Sequence, residues 1–193
     1  MTTPLSRRLT TRWAPAVLTA AGLVAVAGCS SSTLDAQKLD EEISKQVATL
    51  VPEGTQTSVN CPDGVKPEQG GTFTCTLTVN GQDAVIDVTQ TDADGNVTFE
   101  SQSAILFMDQ AQDEITKEVT TQVPGTWSTT CNPPGSSEGI YLAPPGTTFD
   151  CDVTGTTDGG EQQSGTAVVT VDDNEGKLSF EIKLTRETAL RPR

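Results

Sequence analysis

Five cysteines, at positions 29, 61, 75, 131 and 151, are the residues of this chain best suited to chemistry, and there is no histidine to work with them. A cysteine nucleophile or a common zinc site needs an imidazole close by or a Cys-x-x-Cys pair. Neither is present, so the cysteines are expected to form disulfides and no metal is expected. The lack of histidine also removes Ser-His-Asp and Cys-His catalysis, and with them the one side chain that titrates near neutrality unperturbed. No catalytic residue and no cofactor are expected, and the chain is read as a non-enzyme.

Carboxylates are the next candidates. Asp92-Ala93-Asp94-Gly95-Asn96 opens like an EF-hand calcium loop, but the twelfth position is Ser103 rather than a bidentate Glu, and strands are expected on either side. Asp172-Asp173-Asn174-Glu175-Gly176 occupies an equivalent place. Both are expected to be hairpin turns with solvated carboxylates. Paired acids could act as general acid and base where a pocket raises one pKa. Here they fall on polar helix faces and turns, as a solubilising surface would have them. Tyr141, the chain's one tyrosine, sits in a Pro- and Gly-rich loop between Cys131 and Cys151. An aromatic on a long tethered loop is a candidate partner contact. Trp127 shares its strand parity with Cys131 and is expected in a core.

The elements that carry these residues begin with a leader. Arg7, Arg8 and Arg12 form a basic n-region, and Ala14 to Ala27 form an apolar stretch opened by Pro15. That is too short for a membrane span, which needs about 20 apolar residues, and it reads as an export signal. Val26-Ala27-Gly28-Cys29 looks like the lipobox of bacterial lipoproteins, in which the cysteine is diacylglycerol-modified and the chain is cut just before it. Cys29 is then the lipidation site and Ser30-Ser31-Ser32 a tether. Loss of the leader leaves 9 basic groups against 26 acidic ones, a net charge of −17. Such a chain is a poor nucleic-acid ligand, and export favours disulfides among the remaining cysteines.

Sliding the chain against itself by 72 residues aligns Leu34 with Leu106, Glu42 with Glu114, Ile43 with Ile115, Lys45 with Lys117, Val47 with Val119, Val51 with Val123 and Pro52 with Pro124. Apolar residues recur every four positions, with Leu39 and Ala111 in the same stripe, so each segment is expected to be an amphipathic helix ended by proline. Farther on, Cys61 matches Cys131, Cys75 matches Cys151, Gly81 matches Gly155 and Phe99 matches Phe180. Of the three possible connectivities of Cys61, Cys75, Cys131 and Cys151, this repeat demands 61 with 75 and 131 with 151. After each helix the pattern turns to period two. Phe73, Cys75, Leu77 and Val79 alternate with Thr72, Thr74, Thr76 and Thr78, Asn80-Gly81 supplies a hairpin turn, and Ala84, Ile86 and Val88 continue beyond it. The expected fold is α+β: two tandem copies of a small unit, each an amphipathic helix followed by about four antiparallel strands with one internal disulfide.

A lipobox, an amphipathic helix, Val59-Asn60-Cys61-Pro62, then Gly70-Gly71-Thr72-Phe73-Thr74-Cys75 together resemble the actinobacterial lipoproteins that carry domain of unknown function 4333. The resemblance is good over 33–102 and weaker over 103–185, where Asn132 separates Cys131 from Pro133. It implies an origin in the actinobacterial envelope and a disulfide, and it brings no activity. The organisation expected is a signal peptide at 1–28, lipidated Cys29 and tether at 29–32, repeats at 33–102 and 103–185, and a tail at 186–193. The function expected is a noncatalytic binding or interaction module on the outer face of the cell membrane, held by lipid and meeting an unknown envelope partner. A second possibility is a carrier that holds a lipid or glycolipid in a groove between helix and sheet.

Overall fold

A computed structural model of the chain describes residues 9–11 and 33–186. The rest of the expected signal peptide, the expected lipobox and lipidation site Cys29, and the expected serine tether lie outside the described residues. The chain divides between Ala104 and Ile105 into two compact units, with Leu9–Thr11 belonging to the C-terminal one.

The N-terminal unit opens with helix α1, Ala36–Ala48. Asp35 caps it, its carboxylate accepting from the backbone N–H of Lys38 at 3.3 Å, so one of the unpaired donors of the first turn is satisfied. The helix ends at Thr49, whose hydroxyl donates to the Gln46 carbonyl at 2.7 Å. Val51 and Pro52 therefore lie past its end, and the expected helical stripe stops at Val47. Leu39, Ile43 and Val47 recur at four-residue spacing and are buried. Each such side chain contributes about 1.5–3 kcal/mol by leaving water.

Four antiparallel strands follow: β2 (Thr57–Asn60), β3 (Thr72–Val79), β4 (Gln82–Gln90) and β5 (Val97–Ser101), adjacent in chain order. Asn80 and Gly81, both with positive φ (46° and 80°), make the two-residue turn between β3 and β4, as right-handed strand twist favours. Val79 then sits opposite Gln82, and this register puts Cys75, Leu77, Val79, Ala84, Ile86 and Val88 on one buried face. The threonines of β3 take the other face.

The C-terminal unit contains α2 (Met108–Gln122), which buries Met108, Ala111, Ile115 and Val119. Leu106, matched in sequence to Leu34, belongs instead to strand β6 (Ala104–Phe107), and Leu34 itself precedes α1. The main sheet has five strands in the order β1 (Leu9–Thr11), β11 (Leu178–Arg186), β10 (Gln162–Val171), β9 (Thr148–Thr157) and β7 (Gly125–Cys131). A separate two-stranded sheet joins β6 to β8 (Ile140–Ala143).

Mixed helix and antiparallel sheet are thus present, with disulfides Cys61–Cys75 and Cys131–Cys151. The chain is richer in strand than a helix followed by about four strands in each unit. The excess lies in β1 and in the pair β6 and β8, the latter strand forming because the longer loop between Cys131 and Cys151 has room for it. That loop folds onto the segment leading into α2, where the N–H of Met108 donates to the Gly139 carbonyl at 2.8 Å.

Candidate functional site

The two disulfides each tie an edge strand to its neighbour on the buried side of a sheet. Cys131 lies directly opposite Cys151 in the ladder between β7 and β9, and all four half-cystines are buried. A helix side chain meets the first cysteine of each pair. The backbone N–H of Cys61 donates to Asp40 Oδ1 at 2.8 Å, and that of Cys131 donates to Gln112 Oε1 at 3.0 Å. Burial pushes the Asp40 carboxyl above its ordinary value of 3.8, the Cys61 N–H pulls it back, and the nearby Asp63 charge pushes it further up. Period-based reading missed Asp40 and Gln112; the one available signal was that they occupy the same position when the chain is offset by 72 residues.

The acidic turns are closed on themselves. Asp92 Oδ1 accepts from the N–H groups of Asp94 and Asn96 at 2.9 and 3.1 Å, and Oδ2 accepts from the Asn96 side chain. The bond from the Asn96 side chain, followed by that from its backbone, holds the Asp92 carboxyl below its ordinary value. Asp173 Oδ1 accepts in the same pattern from Glu175 and Lys177 at 3.1 and 3.0 Å. A carboxylate that already caps two backbone donors acts as a turn residue. Among the described residues no group of three or more acidic or cysteine side chains could hold a metal ion.

Tyr141 is half-buried on β8, its ring set edge-on to Phe149 with centroids 5.8 Å apart and planes at 87°. Trp127 is in the core, as its parity predicts. Its indole N–H donates to the Val123 carbonyl at 2.7 Å, and its ring lies against Gly155, where a Cβ would come within 2.5 Å of Cε3. Gln90, absent from any sequence-based list of candidates, is buried at the end of β4. Its Oε1 accepts from the Glu68 N–H at 2.9 Å and its Nε2 donates to the Lys66 carbonyl at 3.1 Å, which fixes the loop between Cys61 and Cys75.

The solvent faces of the two main sheets carry mostly hydroxyls and carboxylates. Thr74, Thr76, Asp83 and Asp87 are exposed on one, and Asp150, Asp152, Thr154 and Thr156 on the other. Asp83 accepts from the Thr78 hydroxyl at 2.7 Å, and Asp87 takes both its bonds from the Gln102 amide at 3.0 and 2.9 Å. In the N-terminal unit the one exposed large apolar side chain among the described residues is Val85.

Among the described residues no helix is long and apolar enough to cross a membrane. No curated protein and no solved structure matches the chain. A family model does match part of it, beginning in the apolar stretch before Cys29 and ending in the Asp92–Asn96 turn, so that α1 and strands β2 to β4 fall inside it. The chain thus contains one detected copy of a domain of unknown function, DUF4333, at residues 19–95.

Proposed function

We propose that this protein is an envelope lipoprotein, cut before Cys29, lipidated there, and held on the outer face of the cell membrane as a noncatalytic interaction module. The observation that carries the reading is the pair of buried disulfides, Cys61–Cys75 and Cys131–Cys151. Such bonds persist in oxidising compartments outside the cytosol, and the leader ending in Val26-Ala27-Gly28-Cys29 supplies the route there. Two or three acyl chains, at about 0.8 kcal/mol per buried CH₂, hold a domain on a membrane durably. The acidic chain is repelled by anionic headgroups and stands off on its serine tether.

Matching details support two tandem copies of one unit, the second divergent from the DUF4333 pattern. Asp40 and Gln112 hold the first cysteine of each pair, and Asp92 and Asp173 close the last turn by the same two bonds. Presentation is the mechanism: the anchor fixes the protein while its polar sheet faces and the Tyr141 loop meet a partner.

The test is intact mass spectrometry of the protein extracted from membranes of an actinobacterial host. A mass for residues 29–193 plus acyl groups, lost on Cys29→Ala, is the expected result. A soluble, unmodified chain that keeps residues 1–28 overturns the reading.

A further inference from the structure

Strand β11 lies between β10 and the three-residue border strand β1 of the C-terminal sheet, and the direction of its backbone groups follows from its pairing with β10. The Val171 N–H donates to the Thr147 carbonyl at 2.9 Å and the Val171 carbonyl accepts from the Gly146 N–H at 2.7 Å. Both partners immediately precede β9, so Val171 faces Leu178 across β10 and β11 as a pair without mutual hydrogen bonds. Alternation then turns the N–H and C=O groups of Leu178, Phe180, Ile182 and Leu184 away from β10, toward the outer edge. The sheet uses this edge: Leu9–Thr11 pair with it antiparallel, Leu9 against Phe180 and Thr11 against Leu178.

Leu9–Thr11 are part of the leader, so cleavage before Cys29 strips that strand from β11. A nine-residue edge with its polar groups turned outward is a template for another strand. Its own sequence specifies which one. Along the solvent face run Ser179, Glu181, Lys183 and Thr185, with the buried Ile182 between the two charges.

We propose that a second copy of the processed chain fills this edge, with β11 pairing antiparallel to β11 of the partner copy about a two-fold axis at Ile182. The inference rests on the cleavage proposed above. In this register Glu181 faces Lys183 of the partner subunit, Lys183 faces Glu181 of the partner subunit, and the hydroxyls of Ser179 and Thr185 meet. Opposite charges directly across an antiparallel pair stabilise it, and like charges oppose it. Centring the axis on Glu181 or on Lys183 sets like against like. Among the registers that pair these outward groups with one another, the one centred on Ile182 sets opposite charges across both pairs, and a two-fold contact uses β11 of both copies and so stops at a dimer.

The test is sedimentation equilibrium on residues 29–193 carrying Cys29→Ser, which keeps every described element except β1. A species of about twice the monomer mass is expected. Glu181→Lys and Lys183→Glu each place like charges across both pairs and are expected to weaken association roughly tenfold or more. The double variant E181K/K183E restores opposite charges and should restore the dimer, with circular dichroism unchanged throughout. A parent chain that stays monomeric to its solubility limit, or single variants that associate like the parent, or a double variant no better than the singles, overturns the proposal. Intact mass of the membrane-extracted protein reports cleavage separately. A retained leader there would refute the processing step while residues 29–193 still dimerise.

Discussion

Asp40 and Cys61 are joined by a hydrogen bond of 2.8 Å from the cysteine N–H to the carboxylate Oδ1. Cys61 follows the end of β2, an edge strand, and its N–H would otherwise extend the row of donors that an edge offers to other chains. The helix thus covers the end of the edge beside the disulfide. A neutral acceptor can do the same, as Gln112 does for Cys131.

Asp40 therefore gives the N-terminal unit a pH dependence that Gln112 cannot give the other. Its folded pKa is raised, chiefly by burial, so the folded state holds the proton more tightly than the unfolded chain does. Stability from this group falls as pH rises from the ordinary 3.8 through the raised value, and is level above it. Asp40→Asn should remove that slope while keeping the acceptor, and Asp40→Ala should destabilise at every pH. Urea unfolding across the acid range checks both, and an unchanged slope in Asp40→Asn would refute the assignment.

Gln90 is expected to be costly to replace. Gln90→Leu leaves the Glu68 N–H and Lys66 carbonyl without their side-chain partners, at about 1–3 kcal/mol for a desolvated polar group. Hydrogen exchange should quicken first at Glu68, ahead of the β3 and β4 amides. Unchanged protection at Glu68 would contradict the role.

At Gly155 the prediction is steric. A Cβ there would lie 2.4 Å from the Thr126 carbonyl oxygen and 2.5 and 2.6 Å from Trp127 ring carbons. Gly155→Ala should lower stability by about 1–3 kcal/mol, the usual range for overpacking, and shift the emission of Trp127. In the chain beginning at Cys29, Trp127 is the only tryptophan, so the spectrum reads this site alone. Native-like emission with full stability would show that the ring is not held against the strand.

Loss of one disulfide should be felt unequally. Cys61 and Cys75 are 14 residues apart, and closing a loop of about 15 residues is worth about 3 kcal/mol in the chain-entropy model. Cys61→Ser should accelerate exchange throughout β2 to β5 and leave β7 to β11 near their original protection. Equal acceleration in both units would mean that they unfold together. Undiminished protection in both would mean that the bond adds no stability.

Much of this architecture was legible in the residues. Strict alternation in Thr72–Val79 placed Cys75, Leu77 and Val79 on one side, and Asn80-Gly81 marked the turn where the positive φ values occur. The four-residue stripe identified Leu39, Ile43 and Val47, and the internal match of Cys61 to Cys131 selected the cysteine pairing. Helix ends were less legible: Val51 and Leu106 extend the stripe in sequence but lie outside α1 and α2, because the Thr49 cap and the β6 pairing stop the helices first.

Periodicity reports which side of an element faces the core, since burial acts residue by residue along the chain. Partners about 20 residues apart depend on how a helix crosses its sheet and on the path of a loop, which no local pattern encodes. The sequence by itself determined the cysteine pairs, the strand faces and the turns. Tertiary structure alone decided that Asp40 and Gln112 meet the cysteine N–H groups, that Gln90 fixes a loop, that Tyr141 packs on Phe149 and that β8 pairs with β6.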